Sequence, residues 1–280
     1  MEMHMLLATD MSPAAAHTLR YALALNRHFF AQLELMHVFD LPVAAMDEEG
    51  ALLRNHDAVI KSIEQNLWTF LAENRGSYHF DTKVSAVFGG LYQALATRAR
   101  EWPADLIITG HSSHARSSFW TSTGTGRQLF THPPAPVLCV PEGAIIPPVI
   151  RHILICTDLS DIPDQGAFQF LRRFSNGLKA KLSLLHVNVR NEIAWAGEQK
   201  VTEAWKEGLG LSLNILEHTG KDSLTHLLEE YVREHDIDLI AMFPHRHNWL
   251  YQLLLGSETG KVYDDIMLPV LSIPIDHERT

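Results

Sequence analysis

The sequence predicts an α/β protein built from two similar, doubly wound parallel sheets, because the chain repeats itself. Residues 4–12, HMLLATDMS, return at 152–160 as HILICTDLS, and residues 35–38, LMHV, return at 184–187 as LLHV. Two later segments, which begin at Asp105 and Pro136, both return 133 residues further along the chain. The order of the four matches is kept, so we expect one fold to occur twice.

Each half alternates short apolar runs with stretches of helical periodicity, in the order β-α-β-α-β-α-β-α-β. In the first half we expect strands at 5–8, 32–38, 78–88, 106–109 and 137–140, and long helices at 14–30, 47–75 and 91–101. In the second half we expect strands at 153–156, 181–187, 211–218, 239–242 and 270–273, and helices at 161–178, 191–207 and 223–235. Right-handed crossovers make such strands parallel, which gives two tandem Rossmann-like sheets of five strands each.

Local signals support these boundaries and separate the halves. Ser12 and Pro13 are a cap and a first-turn proline for the first helix, and Gly76 is a stop for the second. The interval 38–89 spans 51 positions and the interval 187–220 spans 33, so the second helix of the second half is expected to be 18 residues shorter. Glycine and proline mark the junction, which predicts domains at 1–142 and 151–280 with a linker at 143–150.

The composition is typical of a cytoplasmic globular protein of 280 residues. A net charge of −10 disfavours binding to nucleic acid and to anionic membranes. No signal sequence is apparent, and the most apolar stretch, 266–275, is too short to span a membrane and contains two prolines. Cys139 and Cys156 both lie in apolar runs, so we interpret them as buried, reduced thiols.

A ligand of such a sheet binds beyond the carboxyl ends of the strands, where the winding direction reverses. The first and fourth strands of each half end there. In the first half they end at Thr9-Asp10 and Thr109-Gly110, and in the second half at Thr157-Asp158 and Met242-Phe243. A glycine in the loop after the fourth strand would let backbone N–H groups approach a phosphate.

Taken together and in order, these segments resemble universal stress proteins, two of which would be fused in this chain. The resemblance rests on the Thr-Asp-x-Ser strand end, the Leu-x-His-Val second strand, the Asp-Leu-Ile fourth strand and the final Pro-Val-Leu. It implies the adenine nucleotide alpha hydrolase-like version of the fold. Many members of that family bind ATP through G-x2-G-x9-G-S/T after the fourth strand. The resemblance further implies adenosine contacts from the early aspartate and from the valine after the histidine: Asp10, Val38, Asp158 and Val187.

The two phosphate loops depart from that pattern in different ways. The first half keeps the initial glycine, and its candidate phosphate contacts are Gly110, Ser113 and Gly124. The second half replaces the initial glycine by Phe243 and keeps the far end of the motif, and its candidates are Arg246, Gly256 and Ser257. Binding of ATP or AMP in at least one half is therefore one hypothesis, and degenerate loops without nucleotide are the other.

Several residues have a structural alternative beside the functional one. Asp10 and Asp158 could instead accept loop N–H groups, and His37 and His186 are expected to be hydrogen-bonded core residues rather than catalytic bases. Two predicted loops each carry a pair of histidines, His111 with His114 and His245 with His247. A metal site would need further ligands beside such a pair. No nucleophile elbow or Walker loop is present, so we expect a binding protein and not a dedicated enzyme, with slow ATP hydrolysis as the weaker alternative.

The functional expectation is a stress-response binding or signalling module regulated by an adenine nucleotide. The alternative is a nucleotide-independent scaffold, or a carrier whose shortened second-half helix leaves a groove for an apolar ligand, with Trp195, Trp205 and residues 249–251 either in the core or around that groove. The resemblance also implies that the last strands, 136–140 and 269–273, pair within the chain as a pseudo-dimer, which leaves further homodimerisation open.

Overall fold

The computed structural model describes residues 3–40, 52–111, 125–157, 162–188, 198–211, 213–217, 224–244 and 267–275. Contacts divide the chain into two compact units. The first consists of residues 1–129 and 137–148, and the second of residues 130–136 and 149–280. No helix within the described ranges combines the length and the apolarity that a membrane span requires.

The first unit is a parallel five-stranded sheet of order β3-β2-β1-β4-β5. Its strands are β1 (His4–Ala8), β2 (Gln32–Phe39), β3 (Thr82–Phe88), β4 (Leu106–His111) and β5 (Val137–Pro141). Its helices are α1 (Pro13–Asn26), α2 (Leu52–Asn74), α3 (Leu91–Glu101) and α4 (Thr125–Thr131), of which the last two residues are assigned to the second unit. Since β1 lies between β2 and β4, the winding direction reverses beside β1, as the sequence predicted.

The second unit repeats this arrangement in the order β8-β7-β6-β9-β10, again with parallel neighbours. Its strands are β6 (His152–Thr157), β7 (Lys181–Asn188), β8 (Leu213–Glu217), β9 (Leu239–Met242) and β10 (Val270–Ser272). Its helices are α5 (Gln165–Leu178), α6 (Glu198–Leu209) and α7 (Leu224–Glu234). Helix α6 has 12 residues where α2 has 23, in the direction that the sequence interval predicted.

Helix α1 begins where the sequence indicated and ends earlier. The Ser12 hydroxyl accepts the Ala15 N–H at 3.2 Å and Pro13 opens the helix. The expected end at Phe30 was wrong because the buried Asn26 closes a turn. Its side-chain amide donates to the Ala31 carbonyl at 2.9 Å and its Oδ1 accepts the Ala31 N–H at 2.7 Å. Those two bonds take residues 27–30 out of the helix.

Helix α5 begins at Gln165, so the expected start at Asp161 was wrong. Pro163 disfavours helical geometry at the residue before it. Asp164 then supplies the cap, because its Oδ1 accepts the Ala167 N–H at 2.8 Å. The helix ends at Leu178 through Lys179, whose φ of 57° lies in the left-handed region where a glycine is the usual choice.

The amino ends of the two sheets are fastened by the same repeated aspartate. Asp105 Oδ2 accepts the His4 N–H at 2.8 Å. Asp238 Oδ2 accepts the N–H groups of Arg151 at 2.7 Å and His152 at 3.0 Å. In each unit this bond joins the residue before the fourth strand to the start of the first, which gives the repeated Asp-Leu-Ile segment a structural role.

The central strands form the core of each unit, and β5, β6 and β9 are buried along their whole length. Cys139 and Cys156 are both buried and are not joined in a disulfide, as the sequence predicted. Burial raises the pKa of the Cys156 thiol well above its ordinary value, because the thiolate would be desolvated. Both cysteines therefore pack as small apolar residues.

Candidate functional site

The carboxyl edge of the first sheet brings three candidate residues onto adjacent strands. In the register of β1 with β2, Ala8 lies beside Met36, and the Thr9 N–H extends the ladder by donating to the Met36 carbonyl at 2.9 Å. Two residues further on, Asp10 falls level with Val38. The register of β1 with β4 places Leu7 beside Ile108, which brings Gly110 level with Thr9. Asp10, Val38 and Gly110 therefore share one edge of the sheet.

The Asp10 loop is held by local hydrogen bonds. Asp10 is exposed, and its Oδ1 accepts the Ser12 N–H at 2.9 Å. The Thr9 hydroxyl accepts the Met11 N–H at 3.0 Å, and Met11 adopts a φ of 60°. The carboxylate thus has the structural role expected as an alternative. Since a carboxylate carries two acceptor oxygens, that bond leaves capacity for a ligand donor.

A histidine on the second strand is bonded in the same way in both units. His37 Nδ1 lies 2.8 Å from the Thr9 carbonyl oxygen, and His186 Nδ1 lies 3.0 Å from the Thr157 carbonyl oxygen. A carbonyl can only accept, so Nδ1 carries the proton and Nε2 is the acceptor of the neutral ring. Both rings are half-buried. This bond gives both histidines a structural role, which is the role that the sequence favours for them.

Gly110 lies where helix α1 approaches strand β4 most closely. A Cβ added to Gly110 would lie 2.3 Å from the hydroxyl oxygen of Thr18, a buried residue of α1. That hydroxyl also donates to the Ala14 carbonyl at 3.2 Å, which fixes its position. Packing alone therefore requires glycine at position 110, with or without a phosphate nearby.

The second unit fills the corresponding region with aromatic rings. Phe243, the counterpart of Gly110, is buried against Trp205 with ring centroids 5.5 Å apart. Trp205 of α6 in turn meets Phe168 of α5 edge to face at 5.2 Å. The valine after the histidine is also more buried in the second unit, since Val187 is only 2% exposed whereas Val38 is half-buried. At these two positions the second unit is therefore more tightly packed than the first.

Comparison with known proteins identifies the fold that carries this edge. The model of the universal stress protein family matches residues 1–141 and again residues 150–274. The chain belongs to the universal stress protein family. The two matches are consistent with two such domains in tandem.

Individual relatives agree with this assignment. The chain is 32% identical to a universal stress protein A homolog of Pasteurella multocida over 142 residues, which are 49% of this chain and 95% of the relative. A universal stress protein structure from Archaeoglobus fulgidus covers 97% of this chain and 98% of its own, with a TM-score of 0.66 and 14% identity. A functionally unknown protein from Pseudomonas aeruginosa covers 98% and 92%, with a TM-score of 0.56 and 17% identity. At these identities the structures show the family fold.

The remaining candidate residues lie mostly outside the described ranges. Of the second-unit candidates, only Val187 is described. The candidates outside the described residues are Ser113, Gly124, Asp158, Arg246, Gly256 and Ser257. His114, His245 and His247 also lie there, and the described residues contain no group of three metal-ligating side chains.

Sequence reasoning missed the contacts that distinguish the two edges. The sequence allowed Trp205 either in the core or around a groove, and the structure places it in the core, fully buried. Trp195 and residues 249–251 lie outside the described residues. Thr18 was not singled out, because a threonine in a helix carries no signal of close contact with a strand. The offset that aligns Gly110 with Phe243 was the usable signal, since a glycine aligned with a phenylalanine indicates different packing.

Proposed function

We propose that the first unit binds an adenine nucleotide at the carboxyl edge of β2, β1 and β4, and that this nucleotide regulates a stress-response module. The observation that carries the proposal is the convergence of Asp10, Val38 and Gly110 on three adjacent strand ends, where the winding reverses. Ligands of doubly wound sheets bind at this position. The arrangement stands on the described backbone register and does not depend on the phosphate loop.

The chemistry of these residues suits the adenosine part of the ligand. Asp10 is exposed, so its carboxylate can accept hydrogen bonds from the adenine amino group or from ribose hydroxyls. The half-buried Val38 would offer apolar contact to the sugar or the base. Within the proposal, Gly110, Ser113 and Gly124 face the phosphates, and backbone N–H groups of that loop supply the donors.

The second unit is the less favourable host for the same ligand. Phe243 is buried against Trp205 where the first unit has Gly110, and Val187 is withdrawn into the core. A ligand would have to displace aromatic packing before it reached that strand end. We therefore assign the nucleotide to the first unit, and Asp158, Arg246, Gly256 and Ser257 are the residues that a second site would use.

We further propose that binding occurs without dedicated catalysis. At the described edge, His37 Nδ1 is bonded to the Thr9 carbonyl, and Asp10 is exposed to solvent. The Asp10 carboxylate already accepts the Ser12 N–H, and the sequence supplies no nucleophile elbow or Walker loop beside it. Phosphate release from ATP is expected to match that of a denatured control, and a faster release that is lost in Asp10→Asn would contradict this part. The cytoplasmic location and the pairing of the last strands within the chain remain predictions from the sequence.

Calorimetric titration with ATP, ADP and AMP tests the proposal. Asp10→Asn keeps an oxygen for the Ser12 N–H but removes the charge, and Asp158→Asn is the matched variant from the second unit. Loss of a charge-assisted hydrogen bond is expected to raise Kd about tenfold or more in Asp10→Asn. Asp158→Asn is expected to bind like the unaltered chain. Absence of binding by all three nucleotides would refute the proposal, and a larger effect of Asp158→Asn would move the site to the second unit.

A further inference from the structure

The second unit contains a cleft that the nucleotide proposal does not use. It lies between α5 and α6 and has a volume of about 560 Å³. Its lining residues combine an apolar floor with a polar rim: Ile162, Pro163, Gln165, Phe168, Gln169, Arg172, Ala204, Glu207 and Gly208. The volume lies within the range typical of small-molecule sites. The cleft lies in the unit whose second helix, α6, is the shorter of the two.

The floor of the cleft is held in place by packing on its far side. Phe168 meets the buried Trp205 edge to face, with ring centroids 5.2 Å apart. Gly208 lies directly against Phe168, and an added Cβ would come within 2.9 Å of the ring. The Phe168 ring therefore has little freedom to fold into the cleft or to withdraw from it. Ile162, which is 38% exposed, extends the same apolar surface outward.

The rim carries one oriented cation. Arg172 donates a hydrogen bond from its guanidinium to the Gly208 carbonyl, which holds the side chain across the cleft. Among the described residues, no carboxylate lies within ion-pairing distance of Arg172. A guanidinium has five N–H donors, so the bond to Gly208 leaves donors for a ligand. Glu207 also lines the cleft, and it opposes an anion through its own charge.

We propose that this cleft binds an amphipathic carboxylate, a molecule with an apolar body and one carboxylate group. The apolar body lies over Phe168, Pro163 and Ala204, and the carboxylate accepts hydrogen bonds from Arg172. A charge-assisted bond to an already oriented guanidinium loses less side-chain freedom than one to a flexible cation. This site lies in a different unit from the proposed nucleotide site, so the two proposals fail or succeed independently.

Octanoate is the probe, with octanol and octylammonium as matched ligands that change only the head group. Calorimetry and saturation-transfer NMR are performed on the full chain, below the concentration at which octanoate forms micelles. Saturable binding of one octanoate is expected, with much weaker binding of the alcohol and the amine. Equal binding of octanol would overturn carboxylate recognition, tighter binding of octylammonium would assign the head group to Glu207, and absence of saturable octanoate binding would overturn the site.

Variants within the cleft identify the contact. Arg172→Gln should weaken octanoate binding about tenfold or more, whereas Lys206→Gln, an exposed cation of α6 outside the cleft, should leave it unchanged. Glu207→Gln should strengthen binding, because it removes a like charge. Ala204→Leu should reduce binding by occupying the floor, while thermal unfolding verifies that each variant is folded. Equal effects of Arg172→Gln and Lys206→Gln would show that only net charge matters and would refute the proposed contact.

Discussion

The two units share a strand order and differ where the fourth strand ends. In the first unit Gly110 allows Thr18 of α1 to approach the strand, and nearby Asp10 is exposed and Val38 is half-buried. In the second unit Phe243 occupies the same position and packs against Trp205. One fold therefore supports two kinds of packing at this position, a close helix contact or an aromatic cluster. The difference indicates that the two units do not share the packing around the end of the fourth strand.

Two polar contacts that both units keep have structural roles. Asp105 and Asp238 bind the start of the first strand, and His37 and His186 bind the carbonyl at its end. These contacts hold the central strand of each sheet at both ends. A repeated polar residue in this chain is therefore no sign of a repeated active site.

The amino ends show a further difference. In the first unit the buried Glu34 receives two N–H groups of Arg98, at 2.8 and 2.6 Å, and the Ser85 hydroxyl at 2.7 Å. In the second unit Ser183 stands in place of Glu34, and its hydroxyl lies 2.7 Å from Nε2 of the buried His152. In the first unit an ion pair satisfies a buried carboxylate, and in the second unit a hydrogen bond with a serine hydroxyl satisfies a buried histidine.

The largest expected effect comes from removing the buried Phe243 ring from the second unit. Phe243→Ala should lower the free energy of unfolding of the second unit by about 3–5 kcal/mol, because it leaves a cavity beside Trp205. Urea denaturation measures the change. Phe30→Ala in the first unit, where the ring is 75% exposed, is the control and should cost no more than about 0.5 kcal/mol. Equal effects would mean that Phe243 is not packed as described.

An intermediate effect is expected from adding a side-chain carbon at Gly110 in the first unit. Gly110→Ala should lower the free energy of unfolding of the first unit by about 1–3 kcal/mol, because its Cβ collides with the Thr18 hydroxyl. Thr18→Ala removes that oxygen, so the double variant should be less destabilised than the sum of the two single changes. A double-mutant cycle by urea denaturation measures this coupling. Strict additivity would show that the helix contact is not what requires glycine.

The smallest effect concerns acid sensitivity of the second unit. Burial lowers the pKa of His152 below the ordinary value of 6.5, and the carbonyl of His235 and the charge of Asp238 only partly oppose this. The unfolded chain therefore binds a proton at a higher pH than the folded one. The stability that the uncharged His152 contributes is complete above pH 6.5 and is lost as the pH falls through the lowered pKa of the folded state.

Thermal unfolding between neutral and mildly acidic pH tests that assignment. His152→Gln should reduce the loss of Tm on acidification relative to the unaltered chain. His17 contributes a loss of the same sign to the first unit, because burial lowers its pKa as well. An identical pH profile for His152→Gln and the unaltered chain would contradict the account of His152.

Much of the fold was predictable because each half gives consistent local signals. Helix α3 and strand β9 were predicted with the bounds that the structure has, and the reversal beside β1 followed from the crossover rule. Helix ends were less accurate at Asn26 and Asp164. There a single side chain decides the end through hydrogen bonds, and periodicity carries no information about such bonds.

The candidate site was only partly predictable. The positions of Asp10, Val38 and Gly110 on one edge follow from the order of strands, which the repeat revealed. The contact of Thr18 with Gly110 and the cluster around Trp205 depend on side chains far apart in the sequence. Neither composition nor spacing specifies such packing, so it could not be predicted from the sequence.

We propose that the two units differ in their ability to bind the same ligand. The number of nucleotides bound per chain at saturation, measured by equilibrium dialysis with labelled ATP, tests it most directly. We predict one nucleotide per chain, weakened by Asp10→Asn and unaffected by Asp158→Asn. Two nucleotides per chain, or one that depends on Asp158, would contradict the account.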